Sequence, residues 1–102
     1  MADFQQLLQL SQQMQGRLQQ LQSDLADRMV EANAGGGLVR VQADGRGMIR
    51  SIAIDPMAFD GRDAELLADL VLAAVAEAQR RAAETAQAEM RKVQGLPSLP
   101  GL

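Results

Sequence analysis

From Asp3 to about Arg28, apolar residues recur at alternating intervals of three and four: Phe4, Leu7, Met14, Leu18, Leu21 and Leu25, with Ser11 the one polar member of the series. That is heptad spacing, and it predicts one long amphipathic helix. Nine glutamines solvate its other faces, and Leu8 and Leu10 widen the apolar face near its start. Such a seam packs on the chain's own elements, or across a two-helix contact between chains, or on both along different lengths. After Arg28 the period changes to two. Met29 and Val30 begin a first strand that runs into Asn33-Ala34-Gly35-Gly36-Gly37. In a second, Val39, Val41 and Ala43 share one face while Leu38, Arg40 and Gln42 share the other. In a third, Arg50, Ile52 and Ile54 alternate with Ile49, Ser51 and Ala53. This alternation predicts a sheet with one face on helices and one partly wet.

Asp44-Gly45 joins the second and third runs as a turn whose positive φ positions favour Asp and Gly. The triple glycine reads as a turn between strands. No Lys-Ser/Thr follows it, and a strand rather than a helix does, so the anion-cradle geometry is missing. Asp55-Pro56 closes the meander, because proline cannot donate to a ladder. Phe59 to Asp63 is a loop and helix entry, with Asp60 or Asp63 as N-cap and Glu65 in the first turn. A second long helix follows, from Ala64 to about Val93. Leu66, Leu67, Leu70, Val71, Ala74, Val75 and Ala78 form its apolar stripe, which thins to Ala82, Ala86, Met90 and Val93. The first half reads as core, and the second half as an arm too polar for deep burial. Residues 1–94 are thus expected to form one domain, and the Gly/Leu/Pro-punctuated residues 95–102 a mobile tail.

A chain of 102 residues with 2% aromatics builds only a thin core from Leu, Ile, Val, Met and Ala, which favours burial against a second copy. The candidate dimer interface is Leu18, Leu21 and Leu25, with Leu70 and Ala74 on the second helix. There is no cysteine and no histidine, which removes Ser–His and Cys–His catalysis and the usual zinc ligands. The acids around the second helix start read as caps rather than a metal site. No apolar run approaches the length of a membrane span, and no secretion signal opens the chain. The cytoplasm is the expected address.

Net charge is −3, but it is unevenly spread. Residues 28–54 carry Arg28, Arg40, Arg46 and Arg50 against Glu31 and Asp44; residues 55–79 carry Arg62 against six acids; residues 80–102 carry Arg80, Arg81, Arg91 and Lys92 against Glu84 and Glu89. Positive charge falls on the sheet and on the distal part of the second helix. The candidate contacts for a polyanion are therefore Arg80, Arg81, Arg91 and Lys92 on the arm, and Arg40, Arg46 and Arg50 on the sheet.

The order helix–meander–helix carries a set of short motifs: Gly35-Gly36-Gly37-Leu38-Val39 with Val41 and Gly45; Ser51-Ile52-x-Ile54-Asp55-Pro56; Glu65-Leu66-Leu67-x-Asp69-Leu70-Val71 with Ala73-Ala74; and Gly95-Leu96-Pro97-x-Leu99-Pro100-Gly101. In this order the chain resembles the YbaB/EbfC family of small bacterial nucleoid-associated proteins. The resemblance implies an α+β fold of long N-terminal helix, three-stranded antiparallel meander and long C-terminal helix, assembled as an intertwined homodimer whose helices project as arms. It also implies binding of duplex DNA with low or broad sequence preference, at the nucleoid, in its organisation or in gene regulation. The chain departs from the family pattern in carrying only Arg17 before Arg28 in its first helix, and Ala53 where a basic residue is common. Fewer cations mean fewer phosphate contacts.

The reading is a DNA-binding homodimer, not an enzyme, without cofactor, metal, small-molecule substrate or membrane partner. The rival is a protein–protein adaptor that uses the same dimeric fold to hold a protein partner.

Overall fold

A computed structural model describes residues 3–61 and 63–94, with side chains to residue 92 apart from Arg62. Helix α1 spans Asp3–Asp27. It is followed by strands β1 (Met29–Ala34), β2 (Val39–Asp44) and β3 (Ile49–Ile54), then helix α2 (Ala64–Gln94). The strands form one antiparallel sheet in the order β1-β2-β3. Residues 1, 2 and 95–102 lie outside the described residues, and with them the predicted tail. No helix among the described residues is long and apolar enough to cross a membrane.

The register puts Val30, Ala32 and Ala34 of β1 beside Ala43, Val41 and Val39 of β2, on the face that α2 covers. The core is Ala32, Val39, Val41, Ala43, Ala74 and Ala78, joined by Leu67, Leu70, Val71 and Val75 of α2. Alanines at facing positions let the helix axis approach the sheet closely. Asp63 caps α2, its carboxylate accepting the Leu66 N–H at 3.0 Å.

Two turn details differ from the sequence expectation. In the β2–β3 hairpin the positive φ falls at Gly47 (+89°), not at Gly45. The loop is closed by the Gly47 N–H donating to the Asp44 carbonyl at 2.9 Å. Gly45 is required for a different reason: it is buried, it donates to the Leu25 carbonyl at 2.8 Å, and a Cβ there would stand 2.8 Å from that same oxygen. A backbone atom cannot swing aside as a side-chain tip does. Gly45→Ala is expected to cost about 1–3 kcal/mol, read as a fall of several degrees in thermal melting.

The third strand also differs. A bulge at Gln42/Ala43 inserts Arg50 as an extra residue, so Ile49 pairs with Ala43 and turns toward the core. Ile49 thus joins Ile52 and Ile54 on the helix side, and Arg50 leaves that series for the hairpin.

The outline is long rather than round. Its extents are 73 × 27 × 17 Å and its radius of gyration is 20.1 Å, against about 13 Å for a compact chain of this length. The elongation comes from the helices. Distal α2 is not the lone polar arm of the sequence reading: Ala82 is buried, and Thr85, Ala86 and Glu89 are half-buried. They run antiparallel to α1, with Leu25 in one cleft beside Ala83 and Ala86 and Leu21 in another beside Glu89 and Lys92. Small alanines at this contact permit close packing despite the polar sequence. Beyond Leu18 toward its N-terminus, the described α1 seam is exposed.

Candidate nucleic-acid interface

The seven cations singled out from the sequence do not form one surface. They divide by which acids hold them.

Arg80 and Arg81 point from α2 but are taken up by carboxylates of the same helix. Glu77 accepts from Arg80 at 2.6 Å and from Arg81 at 3.1 Å, and Glu84 pairs with Arg80 from the other side. The Arg80 hydrogen bond leads in pulling the Glu77 carboxyl down to about 2, with Arg81 adding to it against the opposing effect of burial. The same hydrogen bond and attraction, reinforced by Glu84, raise Arg80 above the ordinary guanidinium range. Arg81 is engaged a second time, donating to the Glu31 backbone carbonyl at 2.5 Å on the outer edge of β1. These spacings of three and four residues are the ion-pair spacings of a helix surface. Glu77 is the residue that reading from charge sums overlooked.

Arg46 and Arg50 are tied as well, to Asp44 at the end of β2. This carboxylate is buried. It accepts the backbone N–H groups of Arg46 (2.8 Å) and Met48 (3.1 Å), and pairs with the guanidinium groups of Arg46 (3.2 Å) and Arg50 (3.0 Å). Burial pushes the carboxyl up, but the two backbone donors and the Arg46 guanidinium outweigh it and hold it below its usual range. Asp44, read from the sequence as a turn residue, is the anchor of the hairpin.

Arg40 stands apart on the solvent face of the sheet, in a shallow depression with Glu31, Gln42, Ser51 and Ala53. It makes no ion pair among the described residues, and neither do Arg17 and Arg91. Lys92 is exposed and makes one contact, 3.3 Å to Glu89, which also pairs with Arg28. Arg17 of α1 and Lys92 of α2 line the same depression at the far end of the two-helix arm, together with Asp24 and Glu89; Arg91 precedes Lys92 in the chain but does not line it. The antiparallel run of the helices brings Arg17 and Lys92 together from opposite ends of the chain. Arg17 entered the sequence reading only as a sign of how few cations α1 carries. No local pattern marks it, because its neighbour is 75 residues away.

Of the residues named for a dimer contact, Leu21, Leu25 and Ala74 are buried within the single chain, Leu70 is half-buried against the triple-glycine turn, and Leu18 is exposed.

The profile of the YbaB/EbfC DNA-binding family matches residues 1–96. A nucleoid-associated protein of Thermoanaerobacter pseudethanolicus is 45% identical over 96 residues, covering 94% of this chain and 86% of its own length. One from Moorella thermoacetica is 51% identical over 81 residues, covering 79% and 78%. A Helicobacter pylori protein of known crystal structure shares the fold, with a TM-score of 0.81 at 24% identity over 90% of this chain and 97% of its own. By the extent of the family match and the identity to these relatives, the chain belongs to the YbaB/EbfC DNA-binding family.

Proposed function

We propose that this chain is a nucleoid-associated protein that binds duplex DNA through its phosphate backbone, acting as a homodimer. Family membership and the names borne by its relatives support the DNA-binding, nucleoid role. The observation that carries the mechanism is that Arg17 and Lys92 line one depression at the end of the two-helix arm, shared with Asp24 and Glu89, and that Arg17 and Arg91 make no ion pair among the described residues. A second copy repeats these cations at a fixed separation, so a net-acidic protein presents two sets of arm-end cations to one duplex. Arg40 adds a cation on the open sheet face. Contacts of this kind position a protein on DNA without reading bases, which matches low sequence preference. The adaptor reading rested on the acidic balance and scarce lysines, and the relatives' names do not favour it.

The test is a salt series with a labelled duplex of about 30 base pairs, run on the wild type and on Arg17→Ala, Arg91→Ala and Lys92→Ala. In a dimer each substitution removes two contacts, so the slope of log affinity against log salt is expected to flatten by about 1.8 per cation. Affinity is expected to fall alike for unrelated sequences. An unchanged slope in the triple variant would move the contact off the arm end.

A further inference from the structure

Helix α2 covers only part of α1. At the roughly 100° per residue of an α-helix, Leu7, Leu10, Met14, Leu18, Leu21 and Leu25 fall within about 80° of one another, on a single face. Leu21 and Leu25 are 6% and 4% exposed, and they are the part of that face beside α2. Exposure then climbs along the same face, from 44% at Leu18 and 51% at Met14 to 61% at Leu10 and 64% at Leu7. The change falls where α2 stops. Its last residue, Gln94, lies two positions past Lys92, which shares a depression with Arg17. From there to Asp3, every residue of α1 is exposed. Lone helices of about 12–15 residues are marginal in water, so this stretch gains stability from whatever covers its apolar face. The segment that follows Gln94, residues 95–102, lies outside the described residues.

We infer that residues 95–102 of the same chain cover it, continuing from α2 in extended form along the α1 face of Leu7, Leu10, Met14 and Leu18. The segment starts beside that face, since it follows Gln94 directly, and the antiparallel run of α2 aims it at the N-terminal end of α1. Its sequence has a matching period. Leu96 and Leu99 each precede a proline, which biases both toward extended or polyproline II backbone. At three residues per turn, that backbone sets Leu96, Leu99 and Leu102 on one side, about 9 Å apart. Met14 and Leu7, one heptad apart on α1, are separated by about 10 Å. Reach is ample, because eight such residues span about 25 Å. The chemistry agrees as well. No charged side chain occurs in residues 95–102, nor in α1 between Phe4 and Gly16, so the contact desolvates no charged side chain of either segment. Tethering at Gln94 presents the segment at an effective concentration on the order of millimolar, above that of a second copy in dilute solution. The contact depends on neither the DNA-binding nor the homodimer reading.

The test is nuclear magnetic resonance on the wild-type full chain. Nuclear Overhauser contacts are expected between the Met14 methyl and the methyls of Leu96 and Leu99. They are expected to vanish in an isotope-filtered experiment on labelled and unlabelled chains refolded together, which reports only contacts between copies. Amide hydrogen exchange gives a second readout. In the full chain carrying Leu96→Ser and Leu99→Ser, the amides from Leu10 to Leu18 are expected to exchange about tenfold faster, while that of Val41 in the core is unchanged. Wild-type spectra without contacts from the tail leucines to α1 overturn the inference. Contacts of Met14 that appear only in the filtered experiment overturn it too, because another copy then covers the face. Where the two readouts differ, or the double variant fails to fold and loses protection at Val41, the wild-type contacts decide.

Discussion

Asp44→Ala is expected to be the most damaging single substitution in the hairpin, lowering the melting temperature by on the order of ten degrees. The reason is the number of groups that depend on one carboxylate. The N–H groups of Arg46 and Met48 lose their acceptor, and the guanidinium groups of Arg46 and Arg50 lose the anion that holds them over the bulge. An unsatisfied donor near the core costs more than the bond it replaces was worth. The bulge then loses what fixes it, and with it the turn of Ile49 toward the core. Asp44→Asn separates the two contributions. An amide oxygen still accepts from the backbone, so the turn is expected to persist while the arginine pairs weaken, and the melting temperature is expected to fall between wild type and alanine. Thermal melts of the three proteins check this. Equal stability of the asparagine and alanine variants would mean that the ion pairs, not the backbone acceptor, hold the hairpin.

Much of this architecture can be read in the residues. The shift from heptad spacing to strict alternation at Met29, and back at Ala64, marks the helix and strand boundaries to within a residue or two, because the two periods reflect which side chains share a face. The acids before the second apolar run narrow the cap of α2 to Asp60 or Asp63, and the fold selects Asp63. What alternation does not show is the bulge. The run Ile49 to Ile54 alternates equally well with Arg50 on either face, and the choice is made by Asp44, a long-range partner for the guanidinium. Nor does the Asp44-Gly45 pair show that glycine is needed for clearance from Leu25 rather than for its φ, since Leu25 is a neighbour only in the fold. The candidate interface was less legible than the fold for a similar reason. Counting charges by segment treats every arginine as available. Ion pairing decides availability, and part of it is local: Glu77 stands three and four residues before Arg80 and Arg81, within reach of a sequence reading. The meeting of Arg17 with Lys92 is not, because it depends on how far α1 runs beside α2.

That local neutralisation leads to an expectation of opposite sign to ordinary charge-deletion experiments. Glu77→Gln is expected to raise affinity for duplex DNA, even though it removes two helix ion pairs. Glu77 holds Arg81 at 3.1 Å and shares Arg80 with Glu84. Its loss leaves Arg81 without an anionic partner among the described residues, while Arg80 keeps Glu84. One cation gained per protomer is two per dimer, which steepens the salt slope by about 1.8 and raises affinity at 0.1 M salt by tens of fold at most. Lowering the pH is a poor substitute for the mutation. With its carboxyl pulled down to about 2 from an ordinary 4.5, Glu77 contributes its full stabilisation above pH 4.5 and loses it only as the pH falls toward 2, where other carboxylates protonate too. The substitution therefore has to be made, and the same 30-base-pair salt series reads it out. A steeper slope for Glu77→Gln would place the duplex along α2 as well as at the arm end, with Glu77 acting as a built-in competitor for the phosphate. An unchanged slope would confine DNA to the end of the arm, and Arg80 and Arg81 would then be fasteners between the helix, Glu77 and the edge of β1.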